Sequence, residues 1–217
     1  MRWFITGGTG LIGSHLAALL AGRGESVRVL VRETSATAFL RGLGAELVVG
    51  DIEAPAPVLA RAIDGCDVVV HAAAILYPRR AGWERYRRVN VDAVDNVLGA
   101  AALAGVRRVV HVSSIAVYGR ADRGDELDED AWLRGEIPER AYYPRSKREA
   151  EVGAWAYHEA GTVRLTTVRP GVVYGERDRL FTRQLVRAAR LPILPLPGGG
   201  RAKPPFVYAG NVAHGIV

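Results

Sequence analysis

The sequence predicts an α/β fold in which a doubly wound, mostly parallel sheet is covered by helices on both faces. Short apolar runs rich in β-branched residues alternate with longer amphipathic stretches, and a glycine-rich turn follows the first run. This alternation is typical of βαβ units. A chain of 217 residues is also long enough to bury one sizeable core.

The strands and helices are predicted in alternating order. The predicted strands cover residues 2–6, 27–31, 46–49, 67–70, 107–112 and 163–168. The predicted helices cover residues 11–22, 55–62, 84–104 and 141–160. The acidic stretch 122–139 interrupts the alternation, so we expect a surface excursion there. After residue 175 the pattern loosens, 191–205 is rich in proline and glycine, and 206–208 reads as the start of a further strand.

Composition narrows the class of protein. No run of about 18 apolar residues is present, which predicts no membrane span, and the N-terminus lacks the layout of a signal peptide. The single cysteine, Cys66, excludes an internal disulfide, fits a reducing cytoplasm and is interpreted as structural because it precedes an apolar strand. The five histidines are scattered without metal-ligand spacing, so we expect no metal site.

The formal charge of +6 is spread along the chain. Only Lys147 and Lys203 are lysines, and the arginines form no basic arm. This distribution favours a solvated surface that attracts phosphorylated small molecules over a nucleic-acid interface.

The glycine-rich turn predicts a dinucleotide site. Gly7, Gly10 and Gly13 are spaced G-x-x-G-x-x-G between the first strand and the first helix. The first glycine permits a tight turn, the second lets the backbone approach a pyrophosphate, and the third allows close packing of helix on strand. The N–H groups of the first helical residues, Leu11 and Ile12, would face the anion. The alternative is an ordinary glycine-rich turn.

A tyrosine and a lysine four residues apart predict acid/base chemistry. Tyr143 and Lys147 share one face of a helix. A tyrosine has a pKa near 10, and a neighbouring ammonium favours its phenolate. Pro144 lacks an N–H and fits only a first helical turn, so the helix should begin at about Tyr142–Tyr143. Tyr142 is interpreted as a packing residue.

These motifs resemble the extended short-chain dehydrogenase/reductase superfamily, from residue 1 to about residue 213. Members include sugar-nucleotide epimerases and dehydratases, dihydroflavonol reductases and 3β-hydroxysteroid dehydrogenases. The resemblance implies a Rossmann-type sheet and a catalytic set of Ser114, Tyr143 and Lys147. Tyr143 would pass the proton, Ser114 would orient the substrate oxygen, and Lys147 would bind the nicotinamide ribose. Ser113 is interpreted as a strand-end residue.

The resemblance also implies the organisation of the cofactor site. Residues 1–175 would form the NAD(P)-binding domain, and residues 176–217 would begin an incomplete substrate-binding region. Asp51 would contact adenine, while Pro170 and Val173 would line the nicotinamide. For Asn90, a helix-packing role and a proton relay stay open as alternatives. The expected cofactor-binding residues are Gly7, Gly10, Leu11, Ile12, Gly13, Arg32, Asp51, Ile52, Ala72, Ala73, Ala74, Asn90, Tyr143, Lys147, Pro170 and Val173.

Cofactor choice depends on the end of the second strand. NAD-preferring relatives carry an acidic residue there, and this chain carries Arg32. A guanidinium can pair with the 2′-phosphate of NADP, so Arg32 favours NADP, with NAD as the alternative.

The expected reaction moves a hydride between nicotinamide and a carbinol or ketone carbon of a small-molecule substrate. Val117-Tyr118-Gly119 favours a sugar-nucleotide epimerase, whereas Arg32 and Asn211-Val212-Ala213-His214 favour a ketone reductase. Ile115-Ala116 after Ser114 disfavour dehydration. A non-catalytic NAD(P)-sensing module is the alternative from another class, although such modules commonly lose the tyrosine or lysine. The family habit also implies a homodimer through helices 84–104 and 141–160.

Overall fold

The computed structural model describes residues 1–76, 81–120, 127–179, 181–190 and 203–217. Six strands form one parallel sheet in the order β3-β2-β1-β4-β5-β6. They are β1 Arg2–Thr6, β2 Ser26–Val31, β3 Glu46–Val49, β4 Val68–His71, β5 Arg108–Val112 and β6 Arg164–Val168. All six predicted strands are confirmed to within one residue at each end.

The helices are more numerous than predicted. In chain order they are α1 Leu11–Gly22, α2 Ala38–Gly42, α3 Ala56–Ile63, α4 Trp83–Tyr86, α5 Ala93–Leu103, α6 Tyr142–Glu159, α7 Phe181–Ala189 and α8 Ala209–Ile216. Helices α1, α3 and α6 confirm three predictions, while α2, α7 and α8 were not predicted. The predicted helix 84–104 is not one regular α-helix, because a π-helical segment, Arg87–Asp92, separates α4 from α5. Two 3₁₀ turns cover Ile115–Tyr118 and Ala131–Leu133.

Each face of the sheet carries its own apolar cluster. On the first face, Phe4 of β1 packs with Leu59 of α3 and Leu98 of α5. On the second face, its neighbour Ile5 packs in a cluster with Leu16 of α1 and Val212 of α8. Alternate residues of one buried strand therefore supply both faces, which confirms the predicted doubly wound class.

The C-terminal residues return to the body of the protein. Strand β7, Val172–Tyr174, pairs in parallel with β8, Phe206–Tyr208, so the further strand predicted at 206–208 is confirmed. Helix α8 then packs through Val212 and Ile216 in the second-face cluster. The predicted division at residue 175 stays a prediction. Residues 122–126 of the acidic stretch and 191–202 of the proline- and glycine-rich stretch lie outside the described residues.

Candidate active site

The glycine turn forms a narrow cradle at the carboxyl edge of the sheet. Gly7 has a φ of +74°, and a Cβ there would lie 2.6 Å from the Ala73 nitrogen and 2.7 Å from the Ala72 carbonyl carbon. A Cβ on Gly13 would lie 2.4 Å from the Gly7 oxygen. Both positions therefore exclude any side chain, and the turn packs directly on the end of β4.

The first turn of α1 supplies donors to this cradle. Gly10 precedes the helix, and no side chain caps its N-terminus. The N–H groups of Leu11 and Ile12 therefore receive no side-chain acceptor, and the helix dipole adds a partial positive charge. A small, uncapped, glycine-lined turn of this kind fits the pyrophosphate of a dinucleotide.

Ser114 lies where the chain leaves β5. The Ser113 N–H donates to the Val168 carbonyl at 2.8 Å, and the Ile115 N–H donates to the Pro170 carbonyl at 3.1 Å. These bonds extend the β5–β6 pairing and place Ser114 beside Pro170. The Ser114 hydroxyl oxygen accepts from the Ala116 N–H at 3.2 Å and caps the 3₁₀ turn.

Helix α6 joins this turn to the tyrosine–lysine pair. The Lys147 ammonium, on a side chain that is 3% exposed, donates to the Val112 carbonyl at 2.7 Å. The neighbouring Arg148 donates from Nε to the Val117 carbonyl at 2.8 Å. Consecutive residues of α6 thus hold both ends of the segment that carries Ser114.

Tyr143 is half-buried in the first turn of α6. The helix begins at Tyr142 with Pro144 in its first turn, as predicted. Tyr142 packs near Trp83 and Tyr86, with ring centroids 6.3 and 6.1 Å away, which agrees with its interpretation as a packing residue.

Burial controls the charge of Lys147. Removal from water lowers the pKa of Lys147 to about 8, while the negative charge of Glu151 acts in the opposite direction. A lysine with this pKa is charged at neutral pH and can lose its proton only slightly above it. An ammonium so close to its own titration range can support the phenolate of a neighbouring tyrosine.

Asn90 uses its amide group within the protein. Its Nδ2 donates to the Ile75 carbonyl at 3.0 Å and to the Ser146 hydroxyl at 2.9 Å, and its Oδ1 accepts from the Ile75 N–H at 2.8 Å. These bonds fit the packing alternative, since they tie the loop after β4 to α6. The π-helical segment carries Asn90, and such segments frequently occur at functional sites.

The remaining predicted cofactor residues lie along the carboxyl ends of the strands. Arg32 is exposed directly after β2, and Asp51 is exposed after β3, where Oδ1 accepts from the Glu53 N–H at 3.0 Å. Ile52 packs against the first-face cluster, and Val173 packs against the second. Ala72 to Ala74 are partly buried beyond β4. The contacts of these residues with a cofactor stay predictions.

A buried polar row was missed by the sequence analysis. Thr6, His71, His111 and Thr167 share one register across β1, β4, β5 and β6. The Thr6 hydroxyl bonds to His71 Nδ1 at 2.8 Å, and the two imidazole rings stack with centroids 5.8 Å apart. Burial and, secondly, the charge of Lys147 lower the pKa of His71 to about 3 and lower that of His111. Both histidines are therefore neutral at neutral pH, close enough to Lys147 to respond to its charge.

Comparison with known proteins identifies the family. The sequence profile of the NAD dependent epimerase/dehydratase family matches residues 3–217. The chain belongs to this family. The predicted membership of the extended short-chain dehydrogenase/reductase superfamily, with its Rossmann-type sheet, is thereby confirmed. Members and homologues of the family are NAD-dependent reductases, dehydratases and epimerases, which are enzymes.

The curated relatives include reductases and dehydrogenases. The chain is 35% identical, over its whole length, to a 4-hydroxy-2-methyl-3-oxo-4-farnesyl-3,4-dihydroquinoline-1-oxide ketoreductase of Stigmatella aurantiaca, of which it covers 64%. It is 30% identical over its whole length to a 3 beta-hydroxysteroid dehydrogenase/Delta 5-->4-isomerase of Mycobacterium tuberculosis, of which it covers 59%. The chain thus spans less than two thirds of these relatives' lengths.

Solved structures of sugar-nucleotide enzymes share the fold. DesIV, a dTDP-glucose 4,6-dehydratase from Streptomyces venezuelae with NAD and TYD bound, matches with a TM-score of 0.82 and 32% identity. That match covers 100% of this chain and 70% of DesIV. A UDP-glucose 4-epimerase from Thermus thermophilus in complex with NAD matches with a TM-score of 0.80 and 27% identity, covering 99% of this chain and 72% of the epimerase.

Two kinds of feature are absent from the described ranges. Within them, no helix combines the length and apolar character that crossing a membrane requires. Nor do the same ranges gather three or more His, Cys, Asp or Glu side chains in a geometry that could bind a metal ion.

Proposed function

We propose that this chain is the NAD(P)-binding and catalytic part of an oxidoreductase or epimerase acting on a carbinol or ketone. The observation that carries the proposal is the buried Lys147, one helical turn after Tyr143 and bonded to the Val112 carbonyl two residues before Ser114. Lys147 and Ser114 are thus held at the carboxyl end of β5, and Tyr143 lies in the first turn of the helix that carries Lys147. Bound nicotinamide would supply or accept the hydride.

The protein's own side chains would manage the proton and the substrate oxygen. The Ser114 oxygen already accepts from the Ala116 N–H, which leaves its O–H free to donate to a substrate oxygen. The Tyr143 hydroxyl would donate a proton to that oxygen during reduction and take it back during oxidation. The Lys147 ammonium would lower the energy of the resulting phenolate.

Within this class we propose a ketone reductase. The curated relatives include a ketoreductase and a 2-alkyl-3-oxoalkanoate reductase, and Ile115-Ala116 after Ser114 disfavour dehydration. A sugar-nucleotide epimerase is the second candidate, supported by Val117-Tyr118-Gly119 and by the fold shared with the Thermus enzyme. A homodimer through α5 and α6 and a cytoplasmic location stay predictions.

We further propose NADP as the cofactor, with NAD as the alternative. Arg32 is exposed at the end of β2, and no carboxylate in the described part of the chain pairs with its guanidinium. That guanidinium is available to a 2′-phosphate, which it can bind through two parallel hydrogen bonds.

Tyr143→Phe tests the catalytic assignment. The variant removes only the hydroxyl, so turnover of ketone substrates with NADPH should fall at least about a hundredfold, the scale of general acid catalysis. The dissociation constant of NADPH, measured by fluorescence titration, should stay within about twofold, a change of about 0.4 kcal/mol. Tyr142→Phe is the matched control and should keep most of the activity.

Two results would contradict the proposal. Loss of turnover in Tyr142→Phe with retention in Tyr143→Phe would refute the register of the motif. Tight cofactor binding without turnover on panels of ketones and nucleotide sugars would favour the sensing module.

A further inference from the structure

A fully buried carboxylate lies one helical turn after Lys147. Glu151 has 0% exposure and occupies the position four residues further along α6, on the same helix face. Its Oε1 accepts from Arg169 Nε at 2.9 Å and from the indole of Trp155 at 3.4 Å. Its Oε2 is buried with no hydrogen-bond partner among the described residues. The catalytic scheme proposed above leaves this charge without a role.

Arg169 fixes Glu151 and connects it to the Ser114 turn. The guanidinium follows β6 directly, and its side chain is 12% exposed. It donates to the Tyr118 hydroxyl at 2.9 Å and lies 5.3 Å from the Tyr118 ring and 5.0 Å from the Trp132 ring. Since Tyr118 ends the 3₁₀ turn that Ser114 caps, one ion pair joins α6, the end of β6 and that turn.

Glu151 is the negative charge that acts on Lys147. Burial destabilises the ammonium, and the carboxylate opposes this effect. The titratable groups facing Lys147 from β4 and β5 are the neutral His71 and His111. The charged side chains of the π-helical segment, which packs against α6, form ion pairs away from Lys147. These pairs are Arg87 with Glu84, Arg87 with Asp92, and Arg88 with Glu53.

We propose that Glu151, fixed by Arg169, is a positioning residue that holds the buried Lys147 ammonium in its charged form. Without the carboxylate, a lysine surrounded by neutral imidazoles and apolar side chains would lose its proton more readily. The consequence for catalysis rests on the function proposed above. The electrostatic coupling between Glu151 and Lys147 requires neither cofactor nor substrate, so it can be tested on the chain by itself.

The two lysines of the sequence make this coupling directly measurable. With lysine labelled by ¹³C at Cε, the chain gives only two lysine signals, and the exposed Lys203 serves as the internal reference. Titration from pH 6 to 11 without cofactor yields the midpoint of Lys147. Glu151→Gln should lower this midpoint by about one pH unit, the lower end of the effect of a nearby opposite charge.

Two further variants decide the interpretation. Glu149→Gln is the matched control. Glu149 lies on the same helix but pairs with Arg145 in a partly exposed ion pair, so this variant should leave the midpoint of Lys147 unchanged. The double variant Glu151→Leu/Arg169→Met removes both charges and leaves no unpaired buried charge. It should also lower the midpoint, so it tests the proposal even if Glu151→Gln fails to fold. An unchanged or raised midpoint in the folded Glu151 variants would overturn it.

Activity measurements separate this inference from the proposed function. If both hold, the alkaline limb of the kcat/KM profile should move to lower pH in Glu151→Gln together with the Lys147 midpoint. A shifted midpoint in a chain without turnover would refute only the proposed function. Turnover with an unchanged midpoint would refute only the role of Glu151.

Discussion

Replacement of Gly7 by alanine tests whether the cradle is as tight as the structure shows. At a φ of +74°, a residue with a Cβ carries a cost of about 1–2 kcal/mol. The added Cβ would also lie 2.6 to 2.7 Å from backbone atoms of Ala72 and Ala73, which cannot rotate away. A forced backbone shift of this kind costs about 1–3 kcal/mol. Together these costs predict a loss of about 2–5 kcal/mol in the free energy of unfolding.

Gly24 offers a control with the same backbone conformation. Its φ is also +74°, but nothing lies within 4 Å of an added Cβ. Gly24→Ala should therefore carry only the conformational cost, about 1–2 kcal/mol, which corresponds to a Tm decrease of about 2–8 °C in a domain of this size. Gly7→Ala should lower Tm on the order of 10 °C.

Cofactor titration completes the comparison. Gly7→Ala should weaken NADPH binding at least about tenfold, or 1.4 kcal/mol, since the shifted turn no longer presents the N–H groups of α1. Gly24→Ala should leave this affinity unchanged. Equal losses of stability in the two variants would refute the reasoning from close approach.

Two other predictions concern Arg32 and the buried histidine row. NADPH should bind at least about tenfold more tightly than NADH, and Arg32→Ala should remove this difference; equal affinities in the unmodified chain would contradict the preference for NADP. The pKa of His71 falls from its ordinary 6.5 to about 3 on folding, so the unfolded chain binds more protons between these values, and stability decreases as the pH falls through that window. Between pH 7 and 5 the loss from His71 is about 2 kcal/mol. Urea unfolding at pH 7 and pH 5 measures this loss of stability. The loss should be smaller in His71→Gln and unchanged in His158→Gln, a control at an exposed histidine. Identical losses in both variants would be evidence against a neutral, buried His71.

The sheet could be predicted because its signals are local. Each buried strand is a short apolar run, and the glycine spacing that follows β1 restricts the backbone at that one turn. Helix α2 was missed because Ala38–Gly42 is too short to show a helical period. The π-helical segment was missed because it depends on tertiary contacts, in which Asn90 bonds to Ile75 and Ser146.

The residue types and spacing of the candidate site could be proposed from the sequence, but the buried polar residues that surround it could not. Tyr143 and Lys147 lie four residues apart, so one helix was enough to bring them together. The stacking of His71 on His111 depends on the register between strands 40 residues apart, and no single strand reveals it. A signal was present nonetheless, since each histidine directly follows a run of apolar residues, at or near the end of its strand. Glu151 likewise continued the four-residue spacing of Tyr143 and Lys147.

The burial of position 147 explains why this position carries a lysine and not an arginine. The chain has 29 lysines and arginines, and only two are lysines, so arginine is its default cation. An arginine at position 147 would stay charged at every accessible pH, because burial cannot bring the pKa of a guanidinium into the neutral range. A lysine in the same position responds to burial, and its pKa falls to about 8. Its compact ammonium also reaches the Val112 carbonyl while leaving two further N–H donors. The doubly wound sheet creates this burial by covering the ends of β4 and β5 with α6. Position 147 therefore carries a cation whose pKa burial can lower, as the role proposed for Lys147 would require.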